Sequence, residues 1–104
     1  MRILQIGTNK GNVDVEDIPG KLRDMQGVVG GHIETVPMPQ LNEKGIALVA
    51  NEEGLLQGLP TNENLFPFFF VGQMFMVGIS GTEFISLTDE QLDYCRAWLS
   101  GLRE

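Results

Sequence analysis

The sequence predicts an α+β fold in which a mostly antiparallel sheet of about five strands carries two helices packed on it. Three observations predict this class. Strand-like segments follow one another in pairs, only two segments have a helical period, and the order lacks the strand–helix–strand rhythm of a doubly wound sheet. The 104 residues are about the length of one domain, which we place at residues 1–104.

The first two strands are predicted to form a hairpin. Residues 2–6 carry β-branched residues, and residues 12–18 alternate Val13 and Val15 with acidic side chains. The connecting residues 8–12 are of types that turn easily or tolerate a positive φ. Pro19 and Gly20 then end the second strand.

Two helices are predicted, one after the hairpin and one near the end of the chain. The first begins near Lys21 and has apolar residues at steps of three and four, namely Leu22, Met25, Val28 and Val29. Gly30 with Gly31 supplies its left-handed end. The second begins with a capping box from Thr88 to Gln91 and runs to about Gly101, with an apolar face of Leu92, Cys95, Trp98, Leu99 and Leu102.

The remaining strands lie between the helices. Residues 32–38 contain Pro37 near their end and Pro39 follows them, which places the far end of this strand at a sheet edge. Residues 45–50 are continuously apolar and predict the sheet centre, since such a strand is covered on both faces. After a turn, residues 55–57 are predicted to return in a second hairpin, and residues 74–79 form another strand.

Charge and composition exclude several function classes. The net charge of −7 disfavours direct nucleic-acid binding. The chain shows no basic-then-apolar leader and no apolar run near 18 residues, so we predict a cytoplasmic protein without membrane contact. One cysteine excludes an internal disulfide and no Cys/His cluster suggests zinc, so neither a metal nor a cofactor is predicted.

Catalysis is not predicted from the residue inventory. His32 lacks a nearby nucleophile in sequence, and a surface or strand-end histidine is the simpler interpretation. Cys95 lies on the apolar stripe of the last helix and is predicted to be a buried thiol. Glu52 and Glu53 lack the spacing of a calcium loop, which favours a solvated turn.

Two other features are compatible with binding. Four of the seven cations, namely Arg2, Lys10, Lys21 and Arg23, lie in the first quarter of the chain and could contact a phosphate. Phe66 and Phe68–Phe70 surround Pro67, and neighbouring side chains of an extended strand cannot all point inward. This aromatic cluster is therefore a candidate for core, groove or self-association interface, and we predict a homo-oligomer.

Several segments together resemble a known family. They are Val-Val-Gly-Gly-His-Ile-Glu-Thr-Val at 28–36, Asn-Glu-Glu-Gly at 51–54, Gly-Leu-Pro-Thr-Asn at 58–62, and residues 72–78 and 84–88. In order and spacing they are similar to an uncharacterised family of short proteins, a domain of unknown function found mainly in bacteriophages, plasmids and their bacterial hosts. His32 stands where that family often has an aromatic residue, and the Phe68–Phe70 run lies where members vary in length.

The resemblance implies a non-catalytic accessory protein of a mobile element that counters host defence in the bacterial cytoplasm. One strategy is to bind and sequester a small nucleotide-derived signal, which needs no catalytic residue. Its predicted ligand-binding residues are Asn51, Glu52, Asn62, His32, Lys21 and Arg23. The alternative is an acidic protein-binding inhibitor that blocks a host defence enzyme through charge complementarity.

Overall fold

A computed structural model describes residues 1–102 and shows an antiparallel sheet covered by helices on both faces. The strands are β1 (Arg2–Ile6), β2 (Val13–Asp17), β3 (Ile33–Val36), β4 (Ile46–Asn51), β5 (Met74–Ser80) and β6 (Glu83–Ile85). The helices are α1 (Leu22–Val29), α2 (Pro39–Asn42) and α3 (Asp89–Gly101), with one 3₁₀ turn at Glu63–Leu65. The α+β class predicted from the sequence is therefore confirmed.

The strand order is β2-β1-β5-β4-β3, and β6 pairs with the end of β5 that β1 leaves free. The continuously apolar strand β4 is buried along its whole length, as predicted, but the central position belongs to β5. β2 and β3 lie at the two ends of this five-strand order, so the edge position predicted for the third strand is confirmed.

Alternation of side chains divides the core into two layers. One face of the sheet, the α3 face, packs Leu4, Leu48 and Met76 against Leu92, Cys95 and Leu99 of α3. The opposite face, the α1 face, packs Ile3, Val49 and Phe75 against Met25 and Val29 of α1. The central strands are apolar on both sides because both sides are covered.

Both predicted helices form with the predicted ends. Thr88 caps α3: its hydroxyl accepts from the Gln91 amide at 3.1 Å, and the Gln91 side chain accepts from the Thr88 amide at 3.0 Å. α1 ends at Gly30, whose φ of 77° is the left-handed conformation that a glycine adopts without strain.

Apart from the sheet centre, one sequence prediction about this architecture is wrong, and two short elements were not predicted. The second hairpin does not form, because residues 53–59 form local turns with their own backbone hydrogen bonds, for example Gln57 N to Glu53 O at 2.9 Å and Leu59 N to Gly54 O at 3.1 Å. The sheet has a sixth strand, β6, which is only three residues long. A third helix, α2, begins at Pro39, where the lack of an N–H group costs nothing.

Candidate functional site

A groove with a volume of about 490 Å³ opens on the α3 face beside the edge strand β3. We call it the acidic groove. It lies between β3, the end of β4, the turns at 52–56 and residues 69–71. Its position at a sheet edge leaves it open to solvent along one side.

The floor of the acidic groove is apolar and is set by strand register. Glu34 of β3 pairs with Ala50 of β4, and Val36 pairs with Leu48, so all four side chains point to the α3 face. Val36, Ala50 and Met74 belong to the core layer on that face and also line the groove. The groove is therefore a part of the core that no helix covers.

The rim of the acidic groove exposes large apolar side chains. Leu55 is 80% exposed, Leu56 is 87% exposed and Phe69 is 84% exposed. All three line the groove. Exposed hydrophobic residues that surround a concave surface mark binding sites more often than isolated ones do.

Three carboxylates surround this apolar surface. Glu34, Glu52 and Glu53 line the groove, and no Lys, Arg or His of residues 1–102 lines it with them. All three residues are exposed. The groove therefore presents a negative potential to solvent, which attracts cations and repels phosphates.

Asn51 borders the groove, but its amide is bonded within the protein. Its Nδ2 donates to Val29 O at 3.2 Å and to Gln57 Oε1 at 3.1 Å, and its Oδ1 accepts from Glu53 N at 2.8 Å. These bonds join β4 to the end of α1 and to the following turn. The site role predicted for Asn51 stays a prediction, while its structural role is shown.

Asn62 lies away from the groove and is completely buried. Its Nδ2 donates to Ile6 O at 3.1 Å and to Gly72 O at 2.9 Å, and its Oδ1 accepts from Asn64 N at 3.1 Å. Asn64 in turn donates to Gly7 O and Asn9 O, both at 2.8 Å. We call Asn51, Asn62 and Asn64 the asparagine set.

The remaining predicted site residues are not gathered in one place. Glu52 lines the acidic groove, and His32 is exposed next to it in the chain, with its carbonyl accepting from Glu52 N at 2.8 Å. Lys21 and Arg23 are exposed at the start of α1, on the opposite face of the sheet. The groove lining therefore unites only Asn51 and Glu52 of the six predicted residues.

The aromatic cluster is divided between core and surface. Phe68 stacks on Phe70 with ring centroids 5.4 Å apart and on Trp98 of α3 at 6.0 Å. Phe69 and Phe66 point outward, and Phe66 is 64% exposed. The expectation that neighbouring rings cannot all be buried is confirmed. Self-association through them stays a prediction.

The other candidate reactive residue is Cys95, which lies on α3. Cys95 is fully buried, and desolvation raises its pKa from 9.0 to about 12. A thiol in this state is a poor nucleophile at neutral pH. Within residues 1–102, no group of three or more His, Cys, Asp and Glu residues could hold a metal ion, and no helix is long and apolar enough to cross a membrane.

A second pocket, also of about 490 Å³, lies on the α1 face and is lined by Thr35, Pro37, Ala47, Ile79 and Phe84 among others. We call it the α1-face pocket. Ala47, Ile79 and Phe84 belong to or pack against the core layer of that face. Both pockets therefore border β3, one on each side of the sheet.

Sequence reasoning missed the groove rim because Leu55 and Leu56 were predicted to form a strand. The available signal was their position between Gly54 and Gly58, where turns are expected and two adjacent leucines are unusual. The place of Glu34 in the groove lining was also not predicted, since the other lining residues come from β4 and from distant turns.

The chain matches a known protein family. A family described as a domain of unknown function (DUF3846) matches residues 1–100. The chain belongs to this family. Comparisons with curated proteins and with solved structures give no match.

Proposed function

We propose that this protein is a non-catalytic binding protein whose acidic groove takes an apolar, positively charged segment of a partner protein. The observation that carries the proposal is the combination of three exposed apolar side chains, Leu55, Leu56 and Phe69, with the carboxylates that surround them. In the context of a mobile element, such a protein acts as an acidic inhibitor that occupies a surface of a host defence enzyme.

Charge complementarity selects the class of occupant. Glu34, Glu52 and Glu53 face solvent around an apolar floor, so a segment with Lys or Arg beside apolar residues gains both burial and favourable electrostatics. A second copy of this chain, with a net charge of −7, meets repulsion at the same place. A basic segment of a different protein is therefore the favoured occupant.

The sequestration of a nucleotide-derived signal fits this groove less well. A phosphate entering it approaches three carboxylates and no lining cation of the described chain. Lys21 and Arg23 lie on the α1 face, and the side-chain amides of Asn51 and Asn62 already bond to protein groups. The groove therefore disfavours a nucleotide-derived signal, and binding of such a signal is the alternative result in the test below.

The test is a selection of random peptides displayed against the purified protein, followed by Kd measurements on the enriched peptides. We expect enriched peptides that combine apolar residues with Lys or Arg. Their Kd rises at least about ten-fold for Phe69→Asp, because an anchor side chain at an interface is worth about this much. Glu34→Gln/Glu52→Gln/Glu53→Gln weakens binding and reduces its salt dependence.

Two control variants test whether a loss of peptide affinity comes only from a change in the overall hydrophobicity or charge of the surface. Phe66→Asp makes the same change at an exposed phenylalanine that does not line the groove. Glu16→Gln/Glu43→Gln/Glu83→Gln removes the same charge from exposed positions elsewhere. Both controls should keep the wild-type Kd within about two-fold. The proposal is wrong if no peptide family is enriched, if Phe69→Asp binds unchanged, or if a cyclic dinucleotide raises the Tm while peptides do not bind.

A further inference from the structure

The edge strand β3 has backbone groups that face away from the sheet. Glu52 N donates to His32 O at 2.8 Å, so residues 32 and 52 form a hydrogen-bonded pair. In this antiparallel register, Glu34 with Ala50 and Val36 with Leu48 are the next such pairs. The N–H and C=O groups of Ile33 and Thr35 therefore point outward and are free to receive another strand.

Two pockets stand on either side of this edge. The acidic groove lies on the α3 face and the α1-face pocket on the other, and both are lined by Thr35, Val36 and Pro37. Side chains of a strand that adds to a sheet alternate between its two faces. An added strand would thus place alternate side chains in the two pockets.

We propose that the partner segment binds as an extra β-strand on β3, with every second side chain in the acidic groove and the intervening ones in the α1-face pocket. This inference rests on the proposed function and specifies its binding mode. The groove-facing positions combine an apolar residue with Lys or Arg, opposite Glu34, Glu52 and Glu53. The α1-face positions are apolar, because that pocket contains no charged lining residue of the described chain.

Pro37 defines where the added strand stops. It occupies the next outward position after Thr35, and proline has no N–H to donate. The ladder therefore runs along Ile33 and Thr35 and ends there. A second copy of β3 is a poor occupant, since antiparallel self-pairing at this short edge brings the two Glu34 side chains near each other on one face.

The first test is an N-methyl scan of the tightest peptide from the selection described above. Strand addition requires that only alternate peptide amides donate to the protein. We expect N-methylation to weaken binding at least about ten-fold at every second position and to be tolerated between them. Uniform tolerance, or enriched peptides with apolar spacing of three and four, would overturn the strand mode in favour of a helix in the groove.

The second test compares two proline variants of the protein. Thr35→Pro and Val15→Pro each remove an outward-facing edge N–H, the first from β3 and the second from β2. We expect both to fold, and only Thr35→Pro to lose at least about ten-fold in peptide affinity. Slowed hydrogen exchange at Ile33 and Thr35 on peptide binding is expected in the wild type.

Different results contradict the strand mode and the proposed function of the acidic groove. Loss of binding in Phe69→Asp with no effect of Thr35→Pro and no period in the N-methyl scan contradicts the strand mode and leaves the acidic groove as the site. Unchanged binding in Phe69→Asp contradicts the proposed function itself. If Thr35→Pro is unfolded by circular dichroism, the N-methyl scan on the wild-type protein decides alone.

Discussion

The asparagine set and the groove rim reverse the usual placement of polar and apolar residues. Asn51, Asn62 and Asn64 are buried, whereas Leu55, Leu56 and Phe69 are the most exposed large hydrophobic side chains of residues 1–102. The asparagines join segments that are distant in the sequence through hydrogen bonds from their side chains to backbone carbonyl groups. The rim residues have no comparable structural task. The difference separates residues that stabilise the loops from residues that are available for binding.

Both groups come from the last residue of β4 and the connection that leads from it to β5. Asn62 joins this connection to β1 through Ile6 O, and Asn51 joins its first turn to α1 through Val29 O. These bonds fix the connection on two sides, so the turns at 52–56 present their leucines at a defined place. A rigid support of this kind lowers the ordering cost of binding at the rim.

The largest stability effect is expected from Asn62→Ala. The change leaves Ile6 O, Gly72 O and Asn64 N without this partner in a fully buried place, so the free energy of unfolding should fall by about 3 kcal/mol. Urea denaturation measures it. Asn9→Ala at an exposed position is the control, and equal effects of the two changes would refute the structural role.

Asn51→Ala should have the next largest effect. Two of its three hydrogen bonds are only partly buried, so water can replace these, and the free energy of unfolding should fall by about 2 kcal/mol. The variant should also weaken peptide binding, because the turn that carries Leu55 is no longer held to Val29. If peptide affinity stays at the wild-type value, the hydrogen bonds of Asn51 do not position the groove rim for binding.

A buried group without a charge partner gives a pH-dependent effect. The pKa of Cys95 is raised from 9.0 to about 12 by desolvation, so above pH 9 the unfolded chain releases a proton that the folded chain keeps. Stability should therefore fall as pH rises through this window, by at most about 1.4 kcal/mol per pH unit. Cys95→Ala should have a shallower slope in urea titrations between these pH values. Equal slopes for the two proteins would contradict the pKa.

The smallest stability effect is expected from Phe69→Asp. An 84% exposed side chain loses little packing, so the free energy of unfolding should change by no more than about 0.5 kcal/mol. The same variant should lose peptide binding, which separates function from stability. Light scattering on it also tests the predicted self-association, since a lower mass than wild type would show that Phe69 contributes to an oligomer interface.

Periodicity and capping made much of the fold predictable. Thr88 and Gln91 define the start of α3, Gly30 ends α1, and the apolar run at 46–50 identifies a strand covered on both faces. These signals are local, and each is carried by a few adjacent residues. The two short elements α2 and β6 were missed because four and three residues provide no period to detect.

The candidate site was much less predictable. Asn51 and Asn62 were predicted as site residues because they are the polar residues of segments that resemble the family. The sequence alone could not show that their side-chain amides donate to backbone carbonyls 22 and 56 residues away. The groove depends on Glu34, Glu52 and Phe69 meeting across three segments. Such a meeting follows from tertiary packing, and only the exposed leucine pair carried a local signal.

The position of β5 has a consequence for synthesis on the ribosome. This strand joins β1 to β4, so until residues 74–80 leave the exit tunnel the β1–β2 hairpin and the β3–β4 pair have no shared neighbour. Until then, the apolar faces of both strand pairs remain exposed to solvent. Nascent chains arrested before β5 should therefore bind chaperones, and release after it should coincide with closure of the sheet.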